Sequence, residues 1–313
     1  MAVTVTEDRL PVQGGQSRLY LRAWAPDDPW AVLIIAHGMA EHIARYDAFA
    51  GFLADQGVAV YGCDHAGHGK SALPEKYGYF YPKDGWHRVV DDLEDVRAYA
   101  CARHPGLPVA LLGHSMGSML ARSYITRYGQ RLAGVVLSGT AGPNPTLPLG
   151  RALAGLQALL LPRYKPSKLL HTLAFSANNR PFAPARTPAD WLSSDPVQVD
   201  AYIADTACGY MFTATGYRDL LAGMAETNRR DWAAGVPQAL PVLIFSGAMD
   251  PVGGMGRGVA WVEHALRRAG VRDVTCRLYP QGRHEMLNEL GREQVYEDVL
   301  AWLKRTLALR AQA

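Results

Sequence analysis

Apolar and polar positions follow two different rhythms along this chain, and the rhythms exchange several times. Ala31–Ala36 (AVLIIA) is a continuous apolar run between polar turns, the mark of a strand buried on both faces. Residues 58–61, 109–112, 135–137 and 242–245 repeat that pattern. An alternating stretch at 19–24 (LYLRAW) predicts a half-exposed strand. Between the runs the period changes. Trp86, Val89, Val90, Leu93, Val96 and Ala100 fall on one helix face, with Arg88, Asp91, Asp92, Asp95 and Arg97 opposite, and Pro105-Gly106 stops the helix. Val295, Val299, Trp302, Leu303 and Leu307 make a similar stripe near the C-terminus. Buried strands alternating with amphipathic helices predict an α/β fold: a mostly parallel central sheet with helices on both faces.

The alternation stops after Gly139. Residues 141–232 are rich in proline and contain no buried-strand run. A connection this long needs structure of its own. It is expected to be a helical cap, or lid, inserted into a core made of 1–140 and 233–313. Within it, Leu149, Leu153, Leu156 and Leu160 share a helix face. That stripe predicts packing onto the sheet domain, a wall of a substrate channel, or a surface that touches lipid aggregates transiently, with Leu153 and Leu156 as substrate-binding candidates.

The densest chemical signal is Gly113-His114-Ser115-Met116-Gly117, which follows the apolar run VALL and opens a helix reaching about Tyr128. A serine on a sharp strand-to-helix turn is crowded two residues away on each side, so only glycine fits there. The turn exposes the Ser115 hydroxyl as a nucleophile. Such a hydroxyl needs a base, and the base needs an orienting acid. In this architecture the chain order is serine, acid, histidine. Seven of the ten histidines precede Ser115, His171 lies in the insertion, and His264 sits mid-helix. His284, in the loop after the strand-like CRLY, remains. Asp250, just past PVLIFSG, stands at the C-terminal end of a strand, where reactive groups collect; Asp219 and Asp231 are the next acids to test. An oxyanion needs two backbone N–H donors. Met116 supplies one, and Met39, in the loop after AVLIIA, supplies the other. The same loop contains His37 and His42, but they stand five apart on a loop, and a helical zinc motif needs four. No metal and no cofactor are expected.

Composition narrows the classes further. The 313 residues suggest about two domains, or one with a large insertion. An apolar content of 49% excludes disorder, and no apolar run reaches the length of a membrane span. The 32 basic against 29 acidic residues leave +3, scattered without a stripe, so no nucleic-acid partner is expected. Four widely spaced cysteines and an N-terminus with neither a basic start nor an apolar core point to a reducing, cytoplasmic compartment. The charge and composition leave the oligomeric state open.

GHSMG, with HGMAEHIARY upstream, DHAGHGKS at 64–71, SGAMD and YPQGRHEMLNE, resembles the monoacylglycerol lipase and lysophospholipase branch of the α/β-hydrolase superfamily over nearly the whole chain. The resemblance implies Ser115, Asp250 and His284 as a triad, and Met39 and Met116 as oxyanion donors. It also implies an insertion that caps an acyl channel, and a structural turn at 64–69 beneath the oxyanion loop. Glu41 and Arg45 match polar-pocket positions of the family and are expected to bind substrate. Family members that grip glycerol carry a second histidine three residues after the first, where this chain has Leu287. The expected activity is hydrolysis of small single-chain acyl esters by way of an acyl-enzyme. A short-chain carboxylesterase, a peptidase, an acyltransferase, or a sensor that keeps the triad without turnover stand as alternatives on the same scaffold.

Overall fold

A computed structural model of the chain describes residues 2–12 and 18–307. Among these residues eight strands form one sheet: β1 (Val3–Pro11), β2 (Arg18–Pro26), β3 (Ala31–Ala36), β4 (Val58–Cys63), β5 (Val109–His114), β6 (Gly134–Ser138), β7 (Val242–Gly247) and β8 (Val274–Tyr279). Their spatial order is β1-β2-β4-β3-β5-β6-β7-β8. β1 and β2 pair antiparallel with each other, and β2 pairs antiparallel with β4; from β4 to β8 every pairing is parallel.

The continuous apolar runs are explained by two separate cores. Val32 and Ile34 of β3 face one core, together with Leu111, Val135 and Ile244. Leu33 and Ile35 face the other, with Leu112, Val136 and Phe245. Helices α2 (Gly85–Arg103), α3 (Met116–Tyr128) and α8 (Arg257–Arg268) cover the first face. Helices α1 (Asp47–Asp55) and α9 (Arg292–Leu307) cover the second.

Two strand expectations change. The 19–24 stretch is not half exposed: in β2, Leu19, Leu21 and Ala23 enter one core, and Tyr20 and Trp24 enter the other. Its polar member, Arg22, reaches out to Glu7 and Asp47, so one charged residue disguised a strand covered on both sides. The sequence reading also missed β1, whose side chains are mostly exposed and whose short alternation at 3–6 gives way to the charged run at 7–9.

Between β6 and β7 the chain leaves the sheet and forms α4 (Leu147–Leu160), α5 (Lys168–Phe175), α6 (Pro196–Ala204) and α7 (Ala214–Thr227). α7 packs on α2 and α3; a Cβ at Gly223 would lie 2.0 Å from the Trp86 ring, so glycine lets the helices meet. α4 docks on α7 through Leu147, Gly150 and Ala154, spaced by three and four residues. Of the leucine stripe, only Leu153 packs half-buried against the core. Leu149 (75%), Leu156 (54%) and Leu160 (72%) are exposed, as is Leu159 (85%). Small residues let two backbones approach, so they took the contact face and left the large leucines outside.

Arg122, on α3, fastens both stems of this helical layer. Its side chain is fully buried, and its guanidinium donates to the carbonyls of Ala141 (2.8 Å) and Thr227. Trp232 lies 4.2 Å from its central carbon.

Candidate active site

The elbow forms because three backbones converge there. Ser115 adopts φ 53° and ψ −117°, a strained conformation for a residue with a side chain. A Cβ at Gly113 would lie 2.2 Å from the Gly117 carbonyl oxygen, and one at Gly117 would lie 2.0 Å from that of Ala36. Both glycines are therefore compulsory, and β3, β5 and α3 close up around Ser115.

His284 Nε2 lies 2.8 Å from Ser115 Oγ, and its Nδ1 lies 3.0 Å from Asp250 Oδ2. Asp250, buried past the end of β7, also accepts from the Val252 N–H (2.8 Å) and the Ser246 hydroxyl (3.1 Å). Burial lowers the affinity of His284 for a proton, but Asp250 outweighs it, helped by Glu285 and Glu41, and the net shift is upward. Burial likewise raises Asp250, and the facing His284 more than reverses it. His114 has no such acid in contact; burial and the neighbouring His284 push it down to about 4. A serine, imidazole and carboxylate linked in this order can pass a proton from the hydroxyl to the ring.

The loop after β3 turns over Ser115. The Gly38 N–H donates to Glu41 Oε1 (2.5 Å), which also accepts from Tyr46 Oη (3.0 Å). The N–H groups of Met39 and Met116 have no hydrogen-bond partner among the described residues, and Met116 is the first residue of α3, where an N–H has no intrahelical acceptor. Both residues line the space around Ser115. Beneath the loop, His37 Nδ1 donates to the Gly38 carbonyl (2.8 Å) and its Nε2 accepts from the His65 N–H (3.0 Å). Asp64 accepts from the N–H groups of Ile43 (2.8 Å) and Lys70 (2.7 Å), which fastens the 64–69 turn under it.

Arg45 bridges two loops far apart in sequence. It donates to Glu41 (2.8 Å) and, through two nitrogens, to Glu285 (both 2.7 Å). Burial would raise the Glu285 carboxyl, and the Arg45 guanidinium overrides it, holding it well below the usual carboxylate range. The sequence offered no sign of this partnership, because Glu285 stands 240 positions from Arg45.

Two cavities meet at Ser115. One, of about 300 Å³, is bordered by Glu41, Trp191, Tyr202, Cys208, His284 and Glu285. The other, of about 710 Å³, runs between α3 and the helical layer, along Met119, Leu170, Leu173, Tyr217, Leu220 and Met224.

The description "serine aminopeptidase, S33" belongs to a family whose pattern matches residues 27–291. The chain belongs to that family. It is also 31% identical to a monoacylglycerol lipase of Mycolicibacterium smegmatis, over 92% of this chain and 94% of the relative. It is 25% identical to the Homo sapiens monoglyceride lipase, over 94% and 89% of the two chains. Among solved structures, a thermostable carboxyl esterase from Bacillus coagulans, in complex with glycerol, superposes with a TM-score of 0.90 at 26% identity, covering 98% of this chain and 99% of that one.

Within this family frame the expected residues separate into two groups. Ser115, Asp250, His284, Met39, Met116 and Glu41 converge, and Arg45 stands behind Glu41. Leu153 and Leu156 do not join them: neither borders either cavity, Leu156 faces solvent, and Leu153 packs half-buried against the core. Leu287 packs in the core beside α9. Trp191, whose ring centre lies 5.1 Å from that of His284, and Glu285 are site residues that the sequence reading missed. No helix among the described residues is long and apolar enough to cross a membrane.

Proposed function

We propose that this protein hydrolyses single-chain acyl esters, with Ser115 as nucleophile, His284 as general base and Asp250 as the orienting acid. The observation that carries the reading is the hydrogen-bonded chain from Asp250 through His284 to Ser115 Oγ, placed where two cavities meet. Ser115 Oγ attacks the ester carbonyl carbon and its proton passes to His284 Nε2. The N–H groups of Met39 and Met116 hold the oxyanion. As the carbonyl re-forms, the bond to the alcohol breaks and His284 returns the proton to the departing oxygen. Water, activated by His284, then attacks the acyl-enzyme and releases the acid. The helical layer acts as a cap: the larger cavity, with Met119, Leu170, Leu173 and Leu220 along it, takes the acyl chain, and the smaller, bordered by Glu41 and Glu285, takes the alcohol. The exposed leucines of α4, with Leu169 and Leu173 of α5, suit contact with a lipid aggregate.

The peptidase alternative needs a free carboxylate to receive a substrate ammonium. Glu41 is engaged by Gly38, Tyr46 and Arg45, and Glu285 by Arg45 and Asn288, which favours the ester reading. The deciding experiment sets p-nitrophenyl esters of graded length, a monoacylglycerol, a lysophospholipid and an aminoacyl anilide against each other. From acetyl to octanoyl the acyl chain gains six methylenes, each worth about 0.8 kcal/mol when buried. The expected result is kcat/KM rising along that series, with a fluorophosphonate probe labelling Ser115. A maximum at acetyl would mark a short-chain esterase, preference for the anilide a peptidase, and no turnover with no labelling a binding protein.

A further inference from the structure

His42, Asp205 and Cys208 meet at the seam between the oxyanion loop and the helical layer. His42 follows Glu41, and Asp205 and Cys208 lie in the turn just after α6. Their ligating atoms all lie within 4.8 Å of one another, and His42 Nε2 is 2.8 Å from Asp205 Oδ2. Four bonds that do not involve these three donor atoms fix the backbones that carry them. The Gly209 N–H donates to the Ala40 carbonyl (2.9 Å), and Tyr202 Oη donates to the same oxygen (3.3 Å). The Ala207 N–H donates to Asp205 Oδ1 (2.8 Å), and the Cys208 N–H to the Asp205 carbonyl (3.0 Å).

We propose that His42, Asp205 and Cys208 form a three-ligand site for a borderline divalent cation of the Zn²⁺ type, and that an ion held there latches the cap to the oxyanion loop. Imidazole, carboxylate and thiolate are the donor set such an ion prefers, and three protein ligands leave its fourth position for water. Tetrahedral zinc places its ligand atoms about 3.3–3.6 Å apart. The present atoms, all within 4.8 Å of one another with the His42–Asp205 pair at 2.8 Å, bracket that spacing.

Cys208 borders the smaller cavity, so an ion can reach it from there. The local field suits a cation. Arg45 is the adverse charge nearby, but Glu41 and Glu285 both hold it, and the three together carry one net negative charge. Asp64 adds a buried acidic group close enough to interact with His42 electrostatically. On binding, the ion displaces the Cys208 thiol proton to solvent and takes the lone pairs of His42 Nε2 and Asp205 Oδ2; no oxidation is involved. His42 stands three residues from Met39, so the same ion restrains the oxyanion loop and narrows the alcohol cavity. The binding claim stands on the cluster alone, whereas the effect on turnover rests on the ester hydrolase reading.

The test is a titration of the reduced, chelator-treated full chain with Co²⁺. The expected result is one Co²⁺ per chain, with intense tetrahedral bands and a sulfur-to-cobalt charge-transfer band, all displaced by Zn²⁺. Cys208→Ser should remove the charge-transfer band. His42→Ala and Asp205→Asn should each weaken binding by roughly 10- to 100-fold or more, since even outer partners of a metal site are worth that much. Circular dichroism melts identify any variant that fails to fold, and Asp205→Asn, at a partly exposed position, keeps the test open if the others do. A charge-transfer band that survives Cys208→Ser would assign the metal to Cys101 or Cys276, the partly exposed cysteines, and overturn the site. So would affinity unchanged in all three variants. Zn²⁺ should also slow ester hydrolysis in a manner reversed by EDTA and blunted in Asp205→Asn; binding without that effect would refute the latch. The spectroscopic readout needs no turnover, so a failed activity assignment and a failed metal site remain distinguishable.

Discussion

Replacing Gly117 with alanine tests whether the elbow depends on close packing of backbones. The new methyl would start 2.0 Å from the Ala36 carbonyl oxygen and 2.6 Å from that of His37. Ordinary contact begins at 3.4 Å, so α3 and the end of β3 must separate by up to 1.4 Å, the difference between 3.4 and 2.0. Neither neighbour is a flexible side chain tip. Overpacking of this kind costs about 1–3 kcal/mol of stability. The kinetic cost should be larger in proportion. β3 leads into the loop that carries Met39, and α3 carries Met116 and follows Ser115, so the strain pulls the two proposed oxyanion donors apart. A misplacement of about 1 Å costs roughly 100-fold in rate, or about 2.7 kcal/mol of barrier. Gly155→Ala is the matched control. It sits in α4 with nothing within 4 Å of the added carbon, and there alanine should stabilise the helix by about 0.5–1 kcal/mol. The assay is kcat/KM on p-nitrophenyl octanoate beside a thermal melt of each variant. A Gly117→Ala protein that melts like wild type and keeps its kcat/KM within a few-fold would refute the packing argument. A Gly155→Ala protein as damaged as Gly117→Ala would show that any added methyl is harmful.

The rise of kcat/KM with pH should be centred above the ordinary histidine value of 6.5, because the proposed base is the neutral His284 ring and Asp250 outweighs burial to hold the proton on. Asp250→Asn should move that limb to lower pH, since burial then dominates, and should cut kcat by about 10⁴; a pH–rate profile of both proteins checks it. Arg45→Met strands two buried carboxylates and should cost about 3–5 kcal/mol in a denaturant melt, with Arg45→Lys recovering part of it. Leu173→Trp, which puts an indole into the larger cavity, should lower kcat/KM more for dodecanoyl than for butyryl esters in the same p-nitrophenyl series; an equal loss for both would place the acyl chain elsewhere.

Local signals were legible in the sequence, and distant partnerships were not. The elbow could be read because strand, GHSMG and helix are contiguous, and Asp250 and His284 because each follows a recognisable strand. β2 was misjudged because Arg22 escapes along its own side chain from a strand that is otherwise covered. α4 was read from its leucines, yet packing chose Leu147, Gly150 and Ala154, since the closest approach of two helices is set by the smallest residues rather than by the most apolar. The Arg45–Glu285 pair and the meeting of His42 with Cys208 depend on loops that only the folded sheet brings together. No periodicity along the chain encodes them.

Arg122 sets a mechanical condition on the helical layer. Both stems hang from one guanidinium, planted seven residues beyond Ser115, and there is no rotatable joint between the nitrogens that hold Ala141 and Thr227. A shift of one stem is therefore felt at the other through a rigid planar group. Displacing either end of the layer then means breaking or dragging a hydrogen bond to a side chain planted on the same helix that begins just after Ser115.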